Sequence, residues 1–186
     1  MSGKLKIEFT AADGSQYDDN AALVKYGGGA DGGKLWIGDR FSASYVQLKA
    51  RKCKTVCVCD EDMYGFAKEA EVTYLKIDPS DDQDHFHESF DFIERNLAKK
   101  RSIIVHDEAG VGKAAVIIIY FLMIKSKKSL GEAYKYVGKL RGELKIPPSL
   151  LKKLMKVEKQ RTGVNSISLQ GKIVTILSES MLGLGG

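Results

Sequence analysis

The chain has 186 residues, with 29 lysines and arginines against 24 aspartates and glutamates, a net charge of +5. That length suits one domain whose core buries about two-thirds of its unfolded surface without disulfide or metal staples. No run reaches the roughly 18 apolar residues of a membrane span, and Met1–Lys6 lacks the apolar core of a secretion signal, so a cytoplasmic setting, or a nuclear one, is expected.

Residues 4–10 alternate through Leu5, Ile7 and Phe9, the period of a strand. Residues 11–33 are rich in Gly, Asp and Ala and read as an irregular arm, so 1–33 forms an N-terminal strand and arm. The main domain then runs over 34–161, and 162–186 is a C-terminal extension. Within the domain, Lys34–Asp39 reads as a strand, Ala43–Lys52 as a helix, Thr55–Asp60 as a strand and, after a variable connection, Thr73–Asp78 as another. From His85 to Lys99, the residues Phe86, Phe90, Ile93 and Leu97 fall on one helical stripe, with acids at its start and Lys99-Lys100 at its end. Ile103–Val105 is a short apolar strand, and Val116–Ile124 an apolar helix. Ser129 followed by Glu132 marks a capping box before the stripe Ala133, Val137, Leu140. Pro147-Pro148 opens a last helix with Leu150, Leu154 and Val157, and Ser166–Leu177 reads as a hairpin or strand before a frayed end, 181–186. Strands alternating with helices predict an α/β fold, a central mostly parallel sheet with helices on both faces. A ligand site then belongs at the carboxyl ends of the strands.

The three cysteines, Cys53, Cys57 and Cys59, lie around one strand and lack a zinc spacing, so buried free thiols are expected and no metal or other cofactor is implied. Lysines crowd the C-terminal half, among them Lys135, Lys139, Lys152, Lys153, Lys156 and Lys159. Without interleaved aromatics or a recognition-helix pattern they do not point to nucleic acid. Solvated helix faces account for most of them, and an anionic protein or lipid partner for some of the rest.

The chemistry concentrates in Arg101–Ala115. A strand runs into a glycine-containing loop that opens directly into a helix, which gathers backbone N–H groups and a helix N-terminus around one point, a cradle for an anion. The loop comprises Asp107, Glu108, Ala109, Gly110, Val111, Gly112 and Lys113, preceded by His106. Gly110-Val-Gly-Lys113 is also similar to a nucleotide-binding P-loop, but Asp107 stands where that motif needs its first glycine and Ala114 where it needs a hydroxyl for Mg²⁺.

The spacing His-x-x-x-Gly-x-x-basic resembles the signature of the dual-specificity, cysteine-based phosphatases, His-Cys-x-x-Gly-x-x-Arg-(Ser/Thr). Three further landmarks in the right order extend the resemblance from about Lys34 to Gln160: Leu35-Trp36-Ile37-Gly38, the aspartate-bearing stretch Asp78–Phe86 with Phe90–Ile93, and Arg141 through Ile146–Leu151 to Glu158. The resemblance implies a phosphatase-like fold, with residue 107 at the nucleophile position and Asp78 in the general-acid region. It also gives His106 the part of ordering the loop.

Three positions depart from that pattern: Asp107 replaces the cysteine, Lys113 the arginine and Ala114 the hydroxyl residue. A carboxylate lacks the soft sulfur nucleophile. It also repels a bound phosphate, by roughly 4 kcal/mol per charge pair at about 4 Å and an effective dielectric near 20. Lysine keeps charge and loses the planar fork. The expectation drawn from these losses is a catalytically inactive, non-enzymatic pseudophosphatase that binds protein partners, phosphorylated ones included, as a scaffold or regulatory module. The alternatives are a weak tyrosine, serine or threonine phosphatase, or a structural subunit with an occluded loop. Asp107 itself has three readings. Its carboxylate fills the cradle; or it sits in an open loop that holds anions through Lys113; or it is a nucleophile with Mg²⁺ held by Asp107 and Glu108. Asp78, crowded by Asp81, Asp82 and Asp84, is either that acid or part of a solvated acidic turn. His85 and His87 are expected on the surface at a helix start.

Overall fold

The computed structural model describes residues 8–10, 16–18, 21–27, 32–59, 72–81 and 84–177. Leu5, Ile7, the connection after Cys59, Asp82 and the C-terminal 178–186 lie outside the described residues. Inside the expected arm, β1 (Glu8–Thr10) pairs antiparallel with β2 (Gln16–Asp18). A third strand, β3 (Ala22–Val24), pairs antiparallel with β4 (Leu35–Gly38), so the arm supplies an edge to the main sheet.

That sheet also takes in β5 (Cys53–Val58), β6 (Thr73–Lys76) and β7 (Ser102–His106), in the order β3-β4-β7-β5-β6, with every pair except β3–β4 parallel. It is a mixed α/β sheet, and the strand alternation assigns its two faces. Leu35, Ile37, Cys57, Ile103 and Val105 point into the larger core. Val56, Val58 and Ile104 point the other way, under a short 3-10 turn (Phe41–Ala43) and α1 (Tyr45–Ala50), against Ala43 and Leu48.

The larger face is covered by α2 (His85–Ala98), α3 (Lys113–Lys125), α4 (Leu130–Arg141) and α5 (Pro148–Thr162). Helix α3 is apolar on all sides, as a central helix must be, and every residue from Ala114 to Met123 is buried. Phe86, Ile93 and Leu97 of the α2 stripe are buried beside it, with Phe90 partly so. The capping box at Ser129 and Glu132 is present. The C-terminal stretch forms a hairpin, β8 (Ile167–Gln170) with β9 (Ile173–Ile176). No helix among the described residues is long and apolar enough to cross a membrane.

Because β7 is central, its carboxyl end is ringed by the ends of β4 and β5. The chain leaves β7 at His106 and enters α3 at Lys113, so the loop between them sits at the middle of the sheet's carboxyl edge.

Candidate active site: a loop closed on its own carboxylate

Asp107 is 5% exposed, a buried charge that needs partners. It finds them in the loop it begins. One carboxylate oxygen accepts the amide hydrogens of Ala109, at 3.1 Å, and of Gly110; the other accepts that of Ala114, at 2.9 Å, on the first turn of α3. Asp107 thus acts as a local turn former and a helix cap at once. The amides it takes are among those expected to cradle an anion.

The loop backbone is held from outside as well. Arg141, at the end of α4, donates through Nε to the Gly110 carbonyl at 3.1 Å and through Nη2 to the Ala109 carbonyl at 3.0 Å. The Lys145 amide donates to the Val111 carbonyl at 2.9 Å. Gly110 has φ +72°, and a Cβ there would lie 2.5 Å from Arg141 Nη2 and 2.7 Å from the Gly38 carbonyl, so only glycine fits. On the far side, Arg40 bridges Glu108 at 3.0 Å; both side chains are at least half exposed, so the pair adds little stability.

Lys113 turns away from the loop amides to Asp78: its Nζ donates to Asp78 Oδ2 at 2.7 Å. Burial pushes the Asp78 pKa up, but bonds from Lys113 and Ser80 outweigh it and hold the carboxyl below its usual value. In this arrangement Asp78 is an ionised partner of Lys113.

His106 is 4% exposed, and burial drives its pKa down to about 4 against the opposing Asp107 and Asp39 carboxylates. Its ring is therefore neutral at physiological pH, and its Nδ1 meets no partner among the described residues. The residue is tied to β5 through its carbonyl, which accepts the Cys59 amide at 2.8 Å. All three cysteines are buried and free. Burial, then Cys57 and the Asp107 carboxylate, push the Cys59 thiol well above its ordinary value, and burial takes Cys53 to about 11, so neither supplies a thiolate to the loop.

His85 corrects the expectation of a surface residue. It is 8% exposed, with Nε2 2.9 Å from Asp81 Oδ2 and Nδ1 2.9 Å from Glu88 Oε2; His87 does lie at the surface. Burial lowers the His85 pKa, but the two carboxylates outweigh it and raise it above the ordinary value. The same turn is pinned by Lys153, whose Nζ donates to the carbonyls of Pro79, at 3.1 Å, and Asp81, at 2.5 Å. A raised histidine pKa contributes stability in full below about pH 6.5 and loses it as pH climbs through the folded value. Amide exchange at Ser80 and Asp81 is therefore expected to speed up as pH rises above about 6.5, beyond the intrinsic pH effect. Asp81→Asn should lower the His85 titration seen by NMR; an unmoved titration would refute the ion pair.

Sequence reasoning missed two supports of this site. Arg141 was a landmark without a role, and the His85 clamp was legible as carboxylates three and four residues away.

Residues 35–160 match the family model described as dual specificity phosphatase, catalytic domain, and the chain belongs to that family. Human dual specificity protein phosphatase 16 is 35% identical over 72 residues, which are 39% of this chain and 11% of that protein. The putative tyrosine phosphatase 123R of Invertebrate iridescent virus 6 is 25% identical over 117 residues, 55% of this chain and 82% of the viral protein. The crystal structure of human DUSP28 superposes with a TM-score of 0.63 at 20% identity, over 75% of this chain and 94% of that one, a likeness of fold. The chain thus spans only about a ninth of the length of the first of these relatives.

One expectation is overturned here. A non-enzymatic role is not what the comparisons support: the family is one of phosphatases and the relatives the chain matches are named as phosphatases. The physical reason is that Asp107, Lys113 and Ala114 speak only to a thiolate route through residue 107. Hydrolysis by another route is a separate matter.

Proposed function

We propose that this member of the dual-specificity phosphatase family works, in the cytoplasm or nucleus, as a binding and regulatory module. Its signature loop is kept closed by Asp107, and protein partners, phosphorylated ones among them, dock on the surface around the loop. The observation that carries the reading is the Asp107 carboxylate on the amides of Ala109, Gly110 and Ala114. A covalently attached carboxylate competes at high effective concentration with any free oxyanion for the same donors. The Lys113–Asp78 pair supports it by engaging the one loop cation that could grip a phosphate.

The test is Asp107→Ala. The variant leaves three loop amides without an acceptor, at a cost of roughly 2 kcal/mol. It is expected to gain about 5 °C in melting temperature from millimolar sodium tungstate, a phosphate mimic. The unmodified protein should move by less than about 1 °C under the same conditions. An equal shift in both would overturn the closed-loop reading.

Family membership favours a second reading, weak phosphomonoester hydrolysis, for which Asp107, with Mg²⁺ held by Asp107 and Glu108, would be the loop's oxygen nucleophile. Turnover of an aryl phosphate that disappears in Asp107→Asn would select it over the first.

A further inference from the structure

We infer that the outer face of α5 is a docking surface for an acidic segment of a protein partner. The inference rests on the closed loop proposed above. With the loop amides taken by Asp107, affinity for an anionic partner has to come from cations outside the loop.

Helix α5 buries Leu150, Leu151, Leu154 and Glu158 and exposes Lys152, Lys156 and Lys159, at spacings of four and three, with Arg161 beyond them. Residues so spaced form one stripe along a helix. The only acid on the helix is Glu158. It faces inward, where its carboxylate accepts the Leu130 amide at 2.7 Å and the Ser166 amide and hydroxyl at 2.8 and 2.7 Å. Nothing on α5 can therefore neutralise the stripe. Three cations elsewhere do have carboxylate partners: Lys125 reaches Glu94 at 2.5 Å, Arg40 reaches Glu108 and Lys113 reaches Asp78. Lys152, Lys156 and Lys159 make no ion pair with a described residue.

Position gives the stripe its use. The N-terminal end of α5 lies at the mouth of the signature loop, since Lys145 holds the Val111 carbonyl and Lys153 holds those of Pro79 and Asp81. From Lys152 to Lys159 the stripe runs roughly 10 Å at about 1.5 Å per residue, the reach of three extended residues. An acidic segment lying along it leads the partner chain towards the loop.

The partner class follows from what the face lacks. A membrane-binding helix sets large apolar side chains beside its lysines. The exposed large apolar residues, Leu23, Phe41, Tyr45, Val46, Ile173 and Ile176, all lie off α5. A single-stranded nucleic acid wants aromatic platforms, and 148–162 contains no aromatic residue. A carboxylate-rich peptide needs neither.

The experiment is an anisotropy titration of the full chain against a fluorescein-labelled decaglutamate peptide at low salt. The variant K152Q/K156Q/K159Q is compared with K76Q/K99Q/K172Q, an equal charge change at exposed, scattered sites. The stripe variant should raise the peptide Kd about tenfold and the scattered variant less than about twofold, with affinity falling as salt rises. Equal losses in the two variants would mean diffuse attraction and overturn the surface. So would tighter, stripe-dependent binding of phosphatidylserine vesicles or of a single-stranded RNA. Tungstate shifts of the unmodified protein and Asp107→Ala are measured alongside. Equal shifts sink the closed loop whatever the peptide does, and equal charge-variant losses sink the α5 surface whatever tungstate does.

Discussion

Replacing Glu158 by alanine is expected to lower the unfolding free energy by about 4 kcal/mol. Glu158 is 2% exposed, and both of its carboxylate oxygens are engaged by donors from two other elements. One is the Leu130 amide, the first of α4, a group that no intrahelical acceptor can satisfy. The others are the amide and hydroxyl of Ser166, whose oxygen in turn accepts the Gly131 amide at 2.7 Å. Alanine leaves those amides buried without acceptors and opens a hole between α4, α5 and the β8–β9 hairpin. Glutamine tests the charge separately: its NH₂ group meets N–H donors, so it should recover only part of the loss. Equilibrium urea unfolding reads both, and a midpoint unchanged in Glu158→Ala would show that the network does not hold these elements together. The same network positions the helix that brings Arg141 to the loop and the helix that carries Lys152, Lys156 and Lys159.

What the sequence disclosed follows the range of each interaction. The α2 stripe, the Ser129–Glu132 box and the strand–loop–helix at 101–115 are local patterns, and all appear in the structure. Asp107's bonds are local too, to amides two, three and seven residues on, within reach of a pattern confined to the loop. The edge strand Ala22–Val24 was hidden, because three residues beside a glycine-rich run carry no period and gain their structure only from β4. The Lys113–Asp78 pair spans 35 residues and the Arg141 clamp 31 and 32, and nothing in either segment's composition announces the other. From the motif Lys113 is a cation for ligand, whereas packing brings the Asp78 carboxylate to it.

The combined substitution Asp107→Cys, Lys113→Arg and Ala114→Ser is expected to raise aryl phosphate hydrolysis at least about 1,000-fold over the unmodified protein. The scaffold it enters is already built. The amides of Ala109, Gly110 and residue 114, now bonded to a carboxylate, are released to lower the pKa of a thiol and to meet the equatorial oxygens of a phosphoryl group. Arg141 and the Lys145 amide continue to hold the loop carbonyls, so the curve that aims those amides does not depend on residue 107. An arginine at 113 adds the planar fork that a lysine lacks. Asp78 then decides how far the rate climbs. Its carboxyl is held below the usual value, largely by its bond to Lys113 against the effect of burial, and it must be protonated to donate to a leaving oxygen. Adding Asp78→Asn to the triple variant should therefore cost a further factor of about 100 if Asp78 is the acid. Stopped-assay rates from pH 5 to 8 should lose their alkaline fall with it. A triple variant that folds, binds tungstate and shows no gain in hydrolysis would place the missing chemistry outside the loop, in the turn that Lys113, Lys153 and His85 now pin.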